Sequence, residues 1–205
     1  MRVVTSHSAQ PFTRAATERS LTGPTPFIIV VAATHAEVIA AAQESSIGIT
    51  LFAPEGAGLW VTPLGEEPLA VIVNKGDQID DLSLGQLQDI YAGRDPTRAA
   101  AIREEGDDSR LFFESAVLRG VRPAATLRLT PSPEAMIKFV GETPNAIGYL
   151  PLRWVNDSVK MVKVDGNAPG DEGYALTALT VAIAKTEPGG PARDWLGKVQ
   201  SAENR

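Results

Sequence analysis

Hydroxyl side chains cluster just ahead of a predicted helix near the start of the chain. Ser6 and Ser8 follow a short β-branched stretch, and Ala9 and Gln10 lead into residues 11–20, whose composition favours a helix. The first N–H groups of a helix lack intrahelical partners and carry partial positive charge, so hydroxyls beside them can help to bind an oxyanion. The same residue types also serve ordinary helix capping, and the sequence leaves both interpretations open.

A second polar pair precedes the next predicted helix, residues 36–43. Thr34 is the predicted N-cap, with Glu37 three residues later, and it is also a candidate ligand-binding residue. His35 is predicted to lie on the surface. The chain has two histidines and no paired carboxylates near them, so we predict no metal site and expect no cofactor.

Composition narrows the classes of function. The chain has 205 residues, a net charge of −6 and no cysteine, which excludes disulfides, thiolate metal sites and a cysteine nucleophile. A chain of this charge without a basic stripe is not expected to bind nucleic acid. It contains no run of about 18 apolar residues, so no direct membrane insertion is predicted. Its start lacks the apolar core of a signal peptide, and an exported form would carry its signal outside this chain.

The sequence contains no motif of the common enzyme classes. A G-x-S-x-G elbow, a P-loop, H-E-x-x-H and a dinucleotide fingerprint are all missing from it. Adjacent acidic residues occur at 66–67, 80–81, 104–105 and 107–108. Neighbouring side chains diverge in direction, so these pairs are predicted to lie on solvated faces rather than to act in acid–base catalysis. We therefore expect a non-catalytic protein.

The predicted elements alternate between strands and helices. The first part of the chain reads strand 2–5, helix 11–20, turn 22–26, a buried strand 27–32, helix 36–43 and strand 47–52, which is typical of a doubly wound parallel sheet. A Pro- and Gly-rich stretch, 54–65, precedes a new run. That run contains strand 69–74, a helix capped by Ser83 that ends before Gly93, a link over 94–101, helices 108–118 and 133–140, strands 146–150, 159–164 and 176–184, and helix 191–199.

Four segments, in order, resemble the substrate-binding proteins of phosphate ABC transporters. They are LAVIVNKGDQIDDLSLGQLQDIYAGR (69–94), REEGDDSRLFFE (103–114), TPNAIGYLPL (143–152) and VKVDGNAPGDEGYAL (162–176). The resemblance implies a type II periplasmic-binding-protein fold, in which two doubly wound α/β lobes face each other across a ligand cleft. Lobe 1 is predicted to contain residues 1–70 and 171–205, and lobe 2 residues 71–170.

The same resemblance implies an extracytoplasmic solute-binding protein for a small oxyanion such as phosphate. Its partners would be this small-molecule ligand and the membrane subunits of an ABC transporter. Arg103 matches the family's anion-binding arginine, although it could also be a solvated arginine paired with a neighbouring acid. A guanidinium offers a planar fork that matches oxyanion geometry.

One departure from the family concerns the ligand. Asp107, Asp108 and Ser109 stand where the family has S-G-T, and Ser46 stands where it has a ligand-accepting aspartate. Two carboxylates would repel a charged oxyanion unless they turn outward or carry a proton. For Asp108 we favour an ordinary acidic residue in a helix first turn, and Asp107 stays open. The alternative function is therefore a ligand-sensing or binding-dead regulatory domain cut from a longer chain.

Overall fold

A computed structural model describes residues 1–20, 27–56 and 58–203, so the predicted turn at 22–26 lies outside the described residues. Its contacts divide the chain into two compact units. Unit 1 comprises Met1–Glu66, Gly106–Asp108 and Ala178–Arg205, and unit 2 comprises Glu67–Glu105 and Ser109–Thr177. The lobe boundaries drawn from the sequence, and the cleft implied by the resemblance, stay predictions.

The elements follow one another in the order strand, helix, strand through most of the chain. They are β1 (Arg2–Ser6), α1 (Gln10–Ser20), β2 (Ile28–Ala32), α2 (His35–Glu44), β3 (Ile47–Thr50), β4 (Trp60–Asn74), β5 (Asp81–Leu82), α3 (Leu84–Tyr91), β6 (Ala99–Arg103), α4 (Asp108–Phe113), a π-helix (Glu114–Leu118), β7 (Arg128–Thr130), α5 (Pro133–Glu142), β8 (Ala146–Pro151), a 3₁₀-helix (Leu152–Trp154), β9 (Val159–Val164), β10 (Thr177–Ala184) and α6 (Gly190–Glu203).

The sheet of unit 1 is parallel at its centre. β1 pairs in parallel with β2 on one side and with β3 on the other, and β10 pairs antiparallel with β3. Val38 and Ala42 of α2 pack with Val4 and Ile183 against this sheet. The predicted β-α-β-α-β alternation is confirmed.

The burial predicted for the second strand is wrong. β2 pairs with β1 at the end of the strand order, and Ile28 is 60% exposed and Val31 41% exposed. An apolar run predicts a strand, but it does not indicate how many other strands will pair with it. A strand at the edge of a sheet pairs on one side only. β2 is therefore an apolar edge strand in the described part of unit 1.

The sheet of unit 2 is mixed. β4 pairs antiparallel with β8 and β9, and β6 lies in parallel between β7 and β8. One apolar cluster, around Leu87, Tyr91 and Tyr149, joins α3 and the π-helix to the sheet. A second cluster, around Met136 and Val140, joins α5 to it. The sheet is thus covered by helical segments through two separate clusters.

Local helix signals agree with the structure. The Ser83 hydroxyl accepts the Gln86 N–H while the Gln86 side chain accepts the Ser83 N–H, which is the predicted capping box. Ser132 caps α5, with Pro133 as its first residue. Gly93, just past α3, has a φ of +75°, a conformation that glycine adopts without a Cβ clash.

Several boundaries are wrong. The stretch 54–65 contains the start of β4, and the link 94–101 contains the start of β6. β7 had no predicted counterpart. The helix predicted over 108–118 is α-helical only to Phe113 and π-helical thereafter. In the described residues, no helix combines the length and the apolar content that a membrane crossing requires.

Candidate functional site

Two neighbouring strands of unit 1 deliver polar side chains to one edge of the sheet. Ser6 is the last residue of β1 and Thr50 the last residue of β3, and the register pairs Thr5 with Ile49. Because β1 and β3 are parallel, these residues lie at the same edge. The carboxyl ends of parallel strands are where α/β proteins commonly bind ligands.

Two of the predicted residues in this region, Ser6 and Thr34, stabilise helix starts. The Ser6 Oγ accepts the N–H of Ala9 at 3.0 Å, and both residues are buried. The Thr34 Oγ1 accepts the N–H of Glu37 at 3.3 Å and caps α2. Gln10 is the half-buried first residue of α1. The capping interpretation is confirmed for Thr34, and the Ser6–Ala9 contact is of the same local kind.

Ser8 makes a contact of a different kind. Its hydroxyl lies 3.3 Å from both carboxylate oxygens of Asp107, ninety-nine residues further along the chain, and donates to them. Both residues are buried, Asp107 being 3% exposed. A hydroxyl carries one proton, and O–H···O bonds centre near 2.7–2.8 Å. The Ser8–Asp107 contact is therefore a long, shared hydrogen bond.

Asp108 is bound more tightly in unit 1. Its Oδ2 accepts the Leu51 N–H at 2.7 Å and the Thr50 hydroxyl at 2.9 Å. The Thr50 Oγ1 also lies 2.9 Å from Nδ1 of His35. Asp108 is 1% exposed, and its Oδ1 has no hydrogen-bond partner among the described residues.

These surroundings change two protonation equilibria. Burial, followed by the charge of Asp107, raises the pKa of Asp108 to about 6, although the Leu51 and Thr50 hydrogen bonds partly oppose the rise. Burial lowers the pKa of His35. The His35 ring is thus kept neutral beside a carboxyl group that gives up its proton less readily than an ordinary aspartate.

The predictions for these residues need correction. Asp107 and Asp108 do not lie on a solvated face, because both residues are buried. Asp108 does begin α4 as predicted, but it is a buried acceptor rather than a first-turn surface charge. His35 is buried rather than exposed, and its backbone N–H donates to the Gly106 carbonyl at 2.8 Å. Gly106, Asp107 and Asp108 therefore each accept a hydrogen bond from another residue of unit 1.

Arg103 lies in unit 2 as the last residue of β6. It is 2% exposed, and its Nη1 donates to the Thr130 carbonyl at 2.8 Å. Its backbone N–H donates to the Tyr149 hydroxyl at 3.3 Å, and its carbonyl accepts Nη1 of Arg110 at 3.0 Å. The alternative of a solvated arginine is wrong. Ser109, in the first turn of α4, is also buried in unit 2.

An aromatic cluster supports this end of β6. The Phe113 and Tyr149 rings stack with centroids 4.0 Å apart, and the Tyr91 and Phe113 centroids are 4.5 Å apart. The Tyr91 hydroxyl donates to the Ala101 carbonyl at 3.0 Å. Tyr149 lies in the segment 143–152 that carried the resemblance, so a sequence signal for it existed. The sequence contained no comparable signal for Thr50 or Leu51.

The site residues thus form two chemically distinct groups, each within its own unit. In unit 1, two hydroxyls and a backbone N–H, from Ser8, Thr50 and Leu51, donate to two carboxylates. In unit 2, the buried Arg103 guanidinium donates to the Thr130 carbonyl, and the Arg103 backbone N–H donates to the Tyr149 hydroxyl. Both groups contain the donor types that bind oxyanions.

Comparison with known proteins gives one relative over nearly the whole chain. The protein is 25% identical to the phosphate-binding protein PstS of Bacillus subtilis over 223 residues, which covers 97% of this chain and 74% of the relative. No family model matches the chain.

Solved structures agree with that likeness. A putative phosphate ABC transporter substrate-binding protein from Clostridium perfringens, with bound phosphate, superposes with a TM-score of 0.86 at 25% identity, covering 97% of this chain and 92% of the other. The regulatory domain of Synechocystis CcmR in complex with 2-PG has a TM-score of 0.70 at 13% identity, covering 99% and 96%, and shows a shared fold alone. The chain is thus a relative of the PstS-type phosphate-binding proteins, and its fold is that of the type II periplasmic binding proteins.

Proposed function

We propose that the protein is an extracytoplasmic solute-binding protein for a small oxyanion of the phosphate class, and that it delivers this ligand to the membrane subunits of an ABC transporter. The observation that carries the proposal is the buried guanidinium of Arg103, which stands on the segment matching the family's anion-binding arginine. Burying a cation is costly unless an anion or hydrogen bonds compensate for it. The hydrogen bond from Nη1 to the Thr130 carbonyl fixes the Arg103 side chain at the end of a strand, and a planar guanidinium held in this way is suited to anion recognition.

The relatives support the ligand class. The Clostridium perfringens protein was crystallised with bound phosphate, and the Bacillus subtilis relative is described as phosphate-binding. The donors near α1 and at the end of β3 add to this support, because hydroxyl and backbone N–H groups bind phosphate oxygens as they bind carboxylate oxygens. The proposed ligand-binding residues are therefore Ser8, Arg103 and Ser109, which were also chosen from the sequence.

Isothermal titration calorimetry tests this proposal. Phosphate, sulfate, molybdate, tungstate and small organic acids are titrated into the wild-type protein at concentrations up to millimolar. Arg103→Lys keeps the charge but loses the planar fork, and we expect it to weaken phosphate binding at least about tenfold. Arg128→Lys is the matched control, because Arg128 is an exposed residue on the neighbouring strand β7.

Two results would contradict the proposal. One is the absence of binding to every member of the panel at millimolar concentration. The other is equal loss of affinity in Arg103→Lys and Arg128→Lys, which would show that the buried fork is not used. Circular dichroism of both variants identifies any change that comes from misfolding.

A second candidate function, a ligand-sensing regulatory domain, is favoured by one observation. The CcmR regulatory domain, which has this fold, was solved with a bound 2-PG. The reading frame around the present chain separates the candidates. An export signal in that frame supports transport, whereas an attached DNA-binding domain supports sensing.

A further inference from the structure

A chain of hydrogen bonds in unit 1 joins His35 to Asp108 through a single hydroxyl. The Thr50 Oγ1 lies 2.9 Å from Nδ1 of His35, and it donates to Oδ2 of Asp108 at 2.9 Å. All three residues are buried, and His35, at 8%, is more exposed than Asp108, at 1%. Two titratable side chains are therefore connected by one oxygen that carries a proton.

The Thr50 hydroxyl has one proton, so the chain has a direction. When Asp108 is ionised, its oxygens only accept, and Thr50 donates to Oδ2. The Thr50 oxygen then accepts the Phe52 N–H at 3.4 Å and a proton-bearing Nδ1 of His35. The neutral His35 ring therefore carries its proton on Nδ1, which leaves Nε2 as an acceptor.

The direction reverses when Oδ2 of Asp108 takes up a proton. That proton is donated to the Thr50 oxygen, the hydroxyl then donates to Nδ1 of His35, and the neutral ring carries its own proton on Nε2. The protonated Oδ2 keeps a lone pair for the Leu51 N–H, 2.7 Å away. A proton on Oδ1 has no acceptor among the described residues, and a buried donor without an acceptor is costly.

The surroundings favour a proton on the carboxyl group over a second proton on the ring. Burial, followed by the charge of the adjacent Asp107, raises the pKa of Asp108 to about 6. Burial lowers the pKa of His35, which disfavours an imidazolium. Mildly acidic solution therefore protonates Asp108 beside a ring that stays neutral.

We infer that His35, Thr50 and Asp108 form a proton relay, in which protonation of Asp108 moves the His35 ring proton from Nδ1 to Nε2. One proton enters from solvent at Nε2, the Nδ1 proton passes to the Thr50 oxygen, and the Thr50 proton passes to Oδ2. The relay thus gains one proton, and the ring stays neutral. His35 is the entry point because it is the more exposed end of the chain. This inference does not rest on the proposed function.

Nitrogen-15 NMR of the imidazole ring tests the relay. The chain has two histidines, so a His7→Gln variant leaves His35 as the single source of ring signals. We expect the proton on Nδ1 at pH 7 and on Nε2 once Asp108 is protonated, below about pH 6. The carbon-13 shift of the Asp108 carboxyl group, assigned with Asp108→Asn, should change over the same pH range.

Variants connect the tautomer to the hydroxyl and to the carboxyl group. Asp108→Asn keeps an oxygen for the Leu51 N–H and the Thr50 hydroxyl but does not titrate, so we expect the Nδ1 proton to stay in place over this range. Thr50→Val removes the linking hydroxyl and should uncouple the ring from Asp108, whereas Thr50→Ser should restore the coupling. Thr180→Val is the matched control, because Thr180 is also a fully buried strand threonine of unit 1. That change should leave the coupling intact.

Three results would overturn the relay. If His35 keeps its proton on Nδ1 while Asp108 is protonated, the chain does not reverse. If both ring nitrogens are protonated while Asp108 is still ionised, the ring holds the added proton. If Thr50→Val changes tautomer with pH as the wild type does, the hydroxyl is not the link. A tautomer change in the wild type and Thr50→Ser that is lost in Thr50→Val supports the relay.

Discussion

Two aspartates whose side chains are largely covered, one in each unit, show how differently the same side chain can be accommodated. Asp108 in unit 1 is held by neutral donors, a hydroxyl and an amide, next to a second carboxylate. Asp77 in unit 2 accepts the Ile79 N–H at 3.0 Å and forms a two-point ion pair with Arg98. Their pKa values move in opposite directions, upward to about 6 for Asp108 and downward for Asp77.

The difference teaches that burial alone does not decide the charge of a carboxyl group. Burial acts to raise both pKa values, and it is the largest single influence on each. At Asp77 the hydrogen bonds from Arg98 and Ile79, together with the charges of Arg98 and Lys160, outweigh burial, whereas at Asp108 the neighbouring Asp107 adds to it. Unit 2 therefore has an acid that stabilises its ionised form, and unit 1 has one that resists ionisation.

Breaking the ion pair of unit 2 is expected to have the largest effect. Asp77→Ala leaves the Arg98 side chain, which is 12% exposed, without this partner, and we expect a loss of about 3 kcal/mol of unfolding free energy at pH 7. Because the folded-state pKa of Asp77 is depressed, this contribution is present above the unfolded value of 3.8 and is lost as the pH falls through the lower folded pKa. Urea denaturation at pH 7 measures the loss of unfolding free energy, and the same experiment at pH 3 measures how that loss changes with pH.

The matched control for that change is Asp89→Ala. Asp89 and Arg94 form a pair whose side chains are about half exposed, and such pairs contribute less than about 1 kcal/mol. A loss at Asp89 equal to that at Asp77 would show that burial of the pair has no influence.

Asp108 should give a pH dependence of the opposite sign. Its folded-state pKa is raised, so between pH 3.8 and about 6 the folded protein binds more protons than the unfolded chain, and stability falls as the pH rises through this window. We expect this fall to amount to about 2 to 3 kcal/mol and to disappear in Asp108→Asn. Unfolding free energies from pH 4 to pH 7 measure it. The exposed Asp157→Asn variant should keep the wild-type slope, and an unchanged slope in Asp108→Asn would assign the effect to other groups.

Removing one neutral donor is expected to have the smallest effect. Thr50→Val keeps the shape of the side chain but deletes a hydroxyl that donates to Asp108, and we expect a loss of about 1 kcal/mol at pH 7. Thr180→Val is the control, because Thr180 is fully buried on β10 and its hydroxyl has no partner among the described residues. That variant should be neutral or stabilising. Equal losses in the two variants, measured by urea denaturation, would contradict the role given to Thr50.

Structural features that depend on neighbouring residues in the chain could be predicted from the sequence. The capping box of α3, the Ser132 cap of α5 and the glycine after α3 depend on residues within one helical turn, and they were predicted correctly. β6 was missed because its first four residues are Ala, Ala, Ala and Ile, and alanine favours helix over strand. The exposure of β2 was mispredicted, since burial depends on neighbours that the run itself does not specify.

The sequence supplied candidate residues for the site but not their contacts. Ser8, Arg103 and Asp107 were chosen through the hydroxyl cluster and the resemblance, and their part in ligand binding stays a prediction. The contact of Ser8 with Asp107 joins positions ninety-nine residues apart, and no local pattern encodes it. No sequence pattern marked Thr50, because threonine is common at the end of a strand. Its role in the structure comes from its hydrogen bond to Asp108.

The position of residues 106–108 has a consequence for how the protein can be divided. The chain passes from one unit to the other at four places, after Glu66, Glu105, Asp108 and Thr177. A fragment cut at 67–177 would still carry three residues that belong with the other unit, and the remainder would lack them. Neither unit is one uninterrupted stretch of the sequence, so one cut at each end cannot separate the two units cleanly.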